Sequence, residues 1–192
     1  MIETERFAKV EVRSALELRG WLAANHMQPD SVWLVTFKKS AGSVYLSRLA
    51  VLDELLCFGW IDGIRRVLDQ DRTMQLIAPR RTDAWTKTYR DRVVGLERNG
   101  QMEAPGRAAI ARAKKLGLWM ANPEVDALVI PEDLAAALQS RPSAHHRFTA
   151  FAPSHRRNVL RWIAGAKQPA TRAKRIEQTV SLAFEGKKVP QF

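Results

Sequence analysis

The sequence predicts an α+β protein: a small, mainly antiparallel sheet packed on helices, with an all-helical C-terminal portion. Three observations carry that expectation. Short runs rich in β-branched and aromatic residues, "SVWLVTFKK", "SVYLS", "WIDGIRRVL" and "TMQLIAP", fall within the first eighty residues. Helical periodicity separates them, and from Gln101 onward it is the only pattern. A chain of 192 residues that is 46% apolar and holds six tryptophans has enough material for a buried core.

Taken in order, "VRSALELRGWLAANH" places Val12, Leu16, Trp21 and Leu22 at helical spacing, with Ser14 near its start as a cap. "SVWLVTFKK" and "SVYLS" read as two antiparallel strands turning at Ala41-Gly42. Ser47 caps a helix through "RLAVLDELLCF", whose Val51, Leu52, Leu55, Leu56 and Phe58 make a broad apolar face closed by Gly59. "WIDGIRRVL" and "TMQLIAP" form a hairpin around the polar turn "DQDR", and Pro79 ends its second strand. Thr82 or Asp83 is the expected cap of a long helix through "AWTKTYRDRVVGLERNG", with Trp85, Tyr89, Val93 and Leu96 inward and Gly100 as the stop. Helices opened by proline, serine or threonine follow to the C-terminus. "MANPEVDALVIPED" divides a mixed core, residues 1–122, from a basic helical region, residues 123–192, unless the two form one continuous domain.

Charge is spread unevenly. Of the formal net charge of +11, most lies beyond residue 140, where eleven cations face only Glu177 and Glu185. A field of one sign attracts polyanions or anionic surfaces. No basic segment leads into an apolar run at the start, and no window is long and apolar enough to span a bilayer, so the expected location is cytoplasmic. The single cysteine, Cys57, cannot close an internal disulfide, and its apolar neighbours make it a buried thiol. It makes a poor nucleophile for a distant base such as His155. The four histidines lack zinc-ligand spacing, and there is no phosphate loop, dinucleotide fingerprint or serine elbow. No metal and no cofactor is expected.

One carboxylate stands out. Asp62 sits between Ile61 and Gly63, and a carboxylate in apolar surroundings needs a cationic or hydrogen-bonding partner. Arg65, Arg66, Arg80 and Arg81 are within reach in sequence. Arg80 and Arg81 precede a predicted helix N-terminus, where guanidinium forks and free N–H groups suit a phosphate or carboxylate. In this reading Arg80 and Arg81 hold an anion, Asp62 orients one guanidinium, and Trp60 or Trp85 walls the cleft. Ordinary ion pairing of Asp62 and core burial of both tryptophans are the competing structural explanations. A second reading gives nucleic acid as the partner, with Arg156, Arg157, Arg161, Arg172, Lys174 and Arg175 following a phosphate backbone. A third makes Asp62 the acid or base of an enzyme, though binding is favoured over catalysis.

Two separated motifs and the tail bring a family into view. "LCFGWIDG", "PRRTDAWTK" and "PSHRRNVLRWI…AKQPATRAKRI" resemble the YdeI/OmpD-associated (bacteriocin-protection, OmdA-like) family from about Val32 to the C-terminus. The matching positions are Phe58, Gly59, Trp60, Asp62 and Gly63; Pro79, Arg80, Arg81, Trp85 and Arg92; and, in the tail, Ser154, His155, Arg156, Arg157, Trp162, Thr171, Arg172, Ala173, Arg175 and Ile176. Thr86 and Tyr89 depart from the serine and asparagine usual there. The resemblance implies a mixed core with a helical C-terminal region, protection against antimicrobial peptides, and association with an outer-membrane porin in some members. It transfers no catalytic residue. Direct porin binding is not expected of a chain read as cytoplasmic. The function expected is a non-enzymatic stress or peptide-protection protein that binds a small anion or anionic macromolecule.

Overall fold

The computed structural model describes residues 6–82 and 84–190, and the chain divides into two compact units, 1–121 and 122–192. In the first unit, four strands among the described residues form one sheet: β1 (Lys9–Glu11), β2 (Val32–Phe37), β3 (Trp60–Val67) and β4 (Arg72–Pro79), in spatial order β1-β2-β4-β3. Only β1 and β2 run parallel, joined through helix α1 (Ala15–Asn25), and the other pairings are antiparallel. The sheet is therefore mainly antiparallel and the fold is α+β, as expected.

Ser14 caps α1 by accepting from the Glu17 amide at 3.1 Å, and Ser47 caps α2 (Arg48–Cys57) by accepting from the Ala50 amide at 3.1 Å. On α1 the inward residues are Leu18 and Leu22, whereas Leu16 is exposed. Val32, Leu34 and Ile77 on one sheet face join Leu18, Leu22, Leu55, Leu56 and Trp60 in a single core.

Two expectations are corrected here. "SVYLS" does not return as a strand beside "SVWLVTFKK": Lys39–Val44 forms a 3-10 segment broken at Gly42, and only Tyr45 makes an isolated parallel bridge to Phe37. The reason is topological, because β4 pairs with β2 along its length and β1 holds the other edge from Trp33 to Val35, leaving Tyr45 only the end at Phe37. Nor does the next helix start at Thr82 or Asp83. Helix α3 (Lys87–Arg98) is capped by Thr86, whose Oγ1 accepts from the Tyr89 amide at 3.4 Å. Thr82 instead accepts from the Ala84 amide in a loop, and Asp83 lies outside the described residues. That loop carries Trp85 into the core before the helix begins. Helix α4 (Ala104–Lys115) completes the described helices of this unit.

The second unit contains α5 (Pro123–Asp126), α6 (Glu132–Gln139), α7 (Pro142–Ala150), α8 (Pro153–Ala164) and α9 (Pro169–Phe184). Proline opens α5, α7, α8 and α9, where its missing N–H costs nothing. Leu134, Leu138, Phe148, Leu160, Ile163 and Val180 are central to its own core.

Candidate functional site

Strand β3 is irregular where it matters. Asp62 pairs with Ile77 of β4 and Arg65 pairs with Gln75, so the register slips between them and Gly63-Ile64 form a bulge. In a regular strand residues three apart point to opposite faces. Here the extra residue turns Asp62 and Arg65 to the same face, the one that Ile77 shares with the core. A side chain at Gly63 would bring a Cβ within 3.1 Å of the Leu76 carbonyl oxygen, which suits glycine at the bulge.

Around these two residues the sheet face is polar. Tyr89 Oη, reaching from α3, donates to Asp62 Oδ1 at 2.5 Å, and buried Gln75 Nε2 donates to Oδ2 at 3.3 Å. Arg65 Nη2 donates to Thr73 Oγ1 at 2.8 Å, and Thr73 meets buried Thr36 at 3.4 Å between hydroxyls. Among the described residues no carboxylate lies within ion-pair distance of Arg65, and no cation within that distance of Asp62. Burial pulls Arg65 below the ordinary guanidinium range, and the nearby charge of Arg48, at the start of α2, adds to the effect.

The residues expected to form the cleft are arranged differently. Asp62 is met by a phenol and an amide instead of a guanidinium. Arg80 is 8% exposed, stacks 4.0 Å above the Trp85 ring and donates to the Ala84 carbonyl. Arg81 reaches away to the Pro29 carbonyl at 2.9 Å. Arg80 thus lies against Trp85 and, 5.5 Å away, over the Tyr89 ring in the first turn of α3, while Arg81 holds the loop backbone at Pro29. Trp60 is 1% exposed, donates to the His26 carbonyl at 3.1 Å and packs edge-on against Trp21. Trp85 is 3% exposed and packs against Trp119. Both belong to the core. Arg92 makes a two-pronged pair with Asp53, both bonds at 2.6 Å. Cys57 is fully buried, and desolvation pushes its thiol up to about 11.

In the second unit several arginines serve the ends of neighbouring helices. Arg157 donates to the Asp126 carbonyl at the end of α5. Arg172 and Arg175 donate to Ile163 and Trp162 in the last turn of α8, and Arg147 to Phe184 at the end of α9. Last-turn carbonyls carry the negative end of the helix dipole, and that of Ile163 takes the Ala166 N–H as well. Arg172 also grips Asp133 at 2.6 and 2.9 Å. Arg156 lies over the Phe148 ring, Arg161 bonds Asn158, and Lys174 is exposed. No described helix is long and apolar enough to cross a membrane.

Sequence reasoning named Arg65 only as a possible partner of Asp62 and did not single out Thr73, Gln75 or Tyr89 as the polar groups that meet the two charges. The signals were present: a glycine inside a strand pattern, and threonine and glutamine in otherwise apolar strands. Tyr89 is also the position at which the family resemblance expects asparagine, and it places the donor on Asp62.

Comparison with known proteins gives two family matches. Residues 10–109, just over half the chain, match the family described as Domain of unknown function (DUF8412). Residues 127–186 match the family described as Bacteriocin-protection, YdeI or OmpD-Associated. No curated protein and no solved structure matches. The tail block of the resemblance lies in the second match, while "LCFGWIDG" and "PRRTDAWTK" lie in the first. The chain therefore belongs to the DUF8412 family and carries a bacteriocin-protection, YdeI or OmpD-associated region at residues 127–186.

Proposed function

We propose that this chain is a binding protein, not a catalyst, and that its mixed unit takes an anionic ligand on the helix-facing side of the sheet. One observation carries the proposal: Arg65 is a half-buried guanidinium held by a threonine, with no carboxylate within ion-pair distance among the described residues. A guanidinium withdrawn from water and left without a counter-ion gains most when an anion arrives. The charge of Arg48 reaches Arg65 and adds to the positive potential there, while Arg80 donates to the Ala84 carbonyl and Arg81 to the Pro29 carbonyl. Cytoplasmic residence belongs to this proposal and suits a buried free thiol at Cys57. The match over residues 127–186 supports a role in bacteriocin protection, and in this proposal the anion is what the protein senses or carries.

The test is binding of phosphate, acetate and propionate, read by calorimetry and thermal shift, in the native protein and in Arg65→Met and Arg48→Met. Loss of a charge-assisted hydrogen bond weakens binding about tenfold or more, so Arg65→Met raises Kd by at least that factor and Arg48→Met by less. Undiminished anion binding in a folded Arg65→Met protein would place the site elsewhere.

A further inference from the structure

Asp62 and Arg65 are opposite charges on one face of the sheet, three residues apart, yet they do not pair with each other. Each is half-buried, and each is held by neutral groups: Asp62 by Tyr89 and Gln75, Arg65 by Thr73. If the pair served folding alone, direct contact would be the simplest way to offset the cost of burial. The surrounding hydroxyls and amide hold the charges apart instead. Their partners on β4, Ile77 and Gln75, are two residues apart on one strand, a separation of about 7 Å.

We infer that the ligand is a small zwitterion of the amino-acid type, its ammonium group meeting Asp62 and its carboxylate meeting Arg65. The inference rests on the reading of Arg65 as the anion holder and adds the opposite pole. An ionised carboxylate has about four lone-pair positions, and Asp62 uses two on Tyr89 and Gln75, so acceptor capacity remains for an ammonium group. Arg65 commits one N–H to Thr73, and its fork retains donors for a carboxylate. An α-amino acid with one hydrogen bond at each end is of the same order of length as the backbone interval between the partner positions Ile77 and Gln75. The bulge at Gly63-Ile64 gives both charges the same facing, so this specificity is a property of the β3 backbone.

The experiment compares alanine, β-alanine, propionate and ethylamine as ligands of the native protein, with affinity read by calorimetry and position by amide chemical shifts of residues 62–65 and 73–76. Alanine is expected to bind about tenfold more tightly than propionate, because it adds one charge-assisted contact. Asp62→Asn should reduce alanine to the affinity of propionate and leave propionate unchanged. Equal affinity for alanine and propionate in the native protein, with both lost in Arg65→Met, would overturn the zwitterion and leave the anion site standing. Failure of every ligand to bind would remove both. The native series decides the matter even if Asp62→Asn does not fold.

Discussion

At the scale of single residues, buried polar groups set the limits of this protein. Arg19 shows the pattern: it bonds Glu54 at 2.9 Å and Glu103 at 2.6 Å and also takes the Gln101 carbonyl, tying α1, α2 and the entry to α4 through one guanidinium. Burial raises Glu54 above the usual carboxylate range, and the charge of Arg19 opposes that rise. His155 is a separate case, 7% exposed and edge-on to Phe151 at a 5.3 Å ring separation. Burial, with a smaller contribution from the charge of Lys188, lowers its proton affinity below the ordinary histidine value. Because the unfolded chain then binds the proton more readily, stability is full above about pH 6.5 and falls as pH drops from there towards the lowered native pKa. A pH series of denaturant midpoints should show this loss between neutral and mildly acidic conditions. His155→Phe should flatten that segment of the curve, and an unchanged slope would assign the acid sensitivity to other groups.

At the scale of elements, α4 and the end of α2 come into close backbone contact. Gly106 is where they meet: a Cβ there would fall 2.2 Å from the Cys57 carbonyl oxygen and 2.8 Å from that of Leu56. Neither is the tip of a flexible side chain, so the backbones must separate to admit even a methyl group. Gly106→Ala should therefore destabilise by about 3 kcal/mol, although alanine is the better helix former. Chemical unfolding of the purified variant measures this, and a loss below about 1 kcal/mol would mean that the helices part easily. The bulge in β3 works at the same scale, since a single additional residue reverses the facing of everything after it. In the second unit, arginines add to the backbone caps of α5, α8 and α9 by taking last-turn carbonyls. Three of the seven lysines and arginines of "SHRRNVLRWIAGAKQPATRAKRI", namely Arg157, Arg172 and Arg175, are thereby engaged at helix ends.

At the scale of the whole molecule, the chain holds two hydrophobic cores with no residue in common, one drawn from residues 12–113 and the other from residues 125–189. A core assembled entirely within one stretch of sequence is the physical requirement for autonomous folding. Residues 122–192 expressed alone should therefore give a helical circular dichroism spectrum and a cooperative melt. A non-cooperative, partly helical product would show that this core needs the first unit. The division also parallels the family matches, which fall on separate stretches of the chain.

Most of the elements could be read from the amino-acid order, because the forces that form them are local. Ser14 and Ser47 cap α1 and α2, the polar "DQDR" turn joins β3 to β4, and prolines open four helices of the second unit. Strand β1 escaped notice because three residues carry too little pattern to recognise. The "SVYLS" strand failed because the free edge it needed was already taken. The sequence could also show that Asp62 needs a partner and that arginines lie near. Only the tertiary structure decided which groups met it. That choice depended on a register slip in β3, on Trp85 drawing Arg80 into the core, and on Tyr89 arriving from α3. Each is a contact between elements, set by which faces pack together, and sequence spacing alone does not encode it.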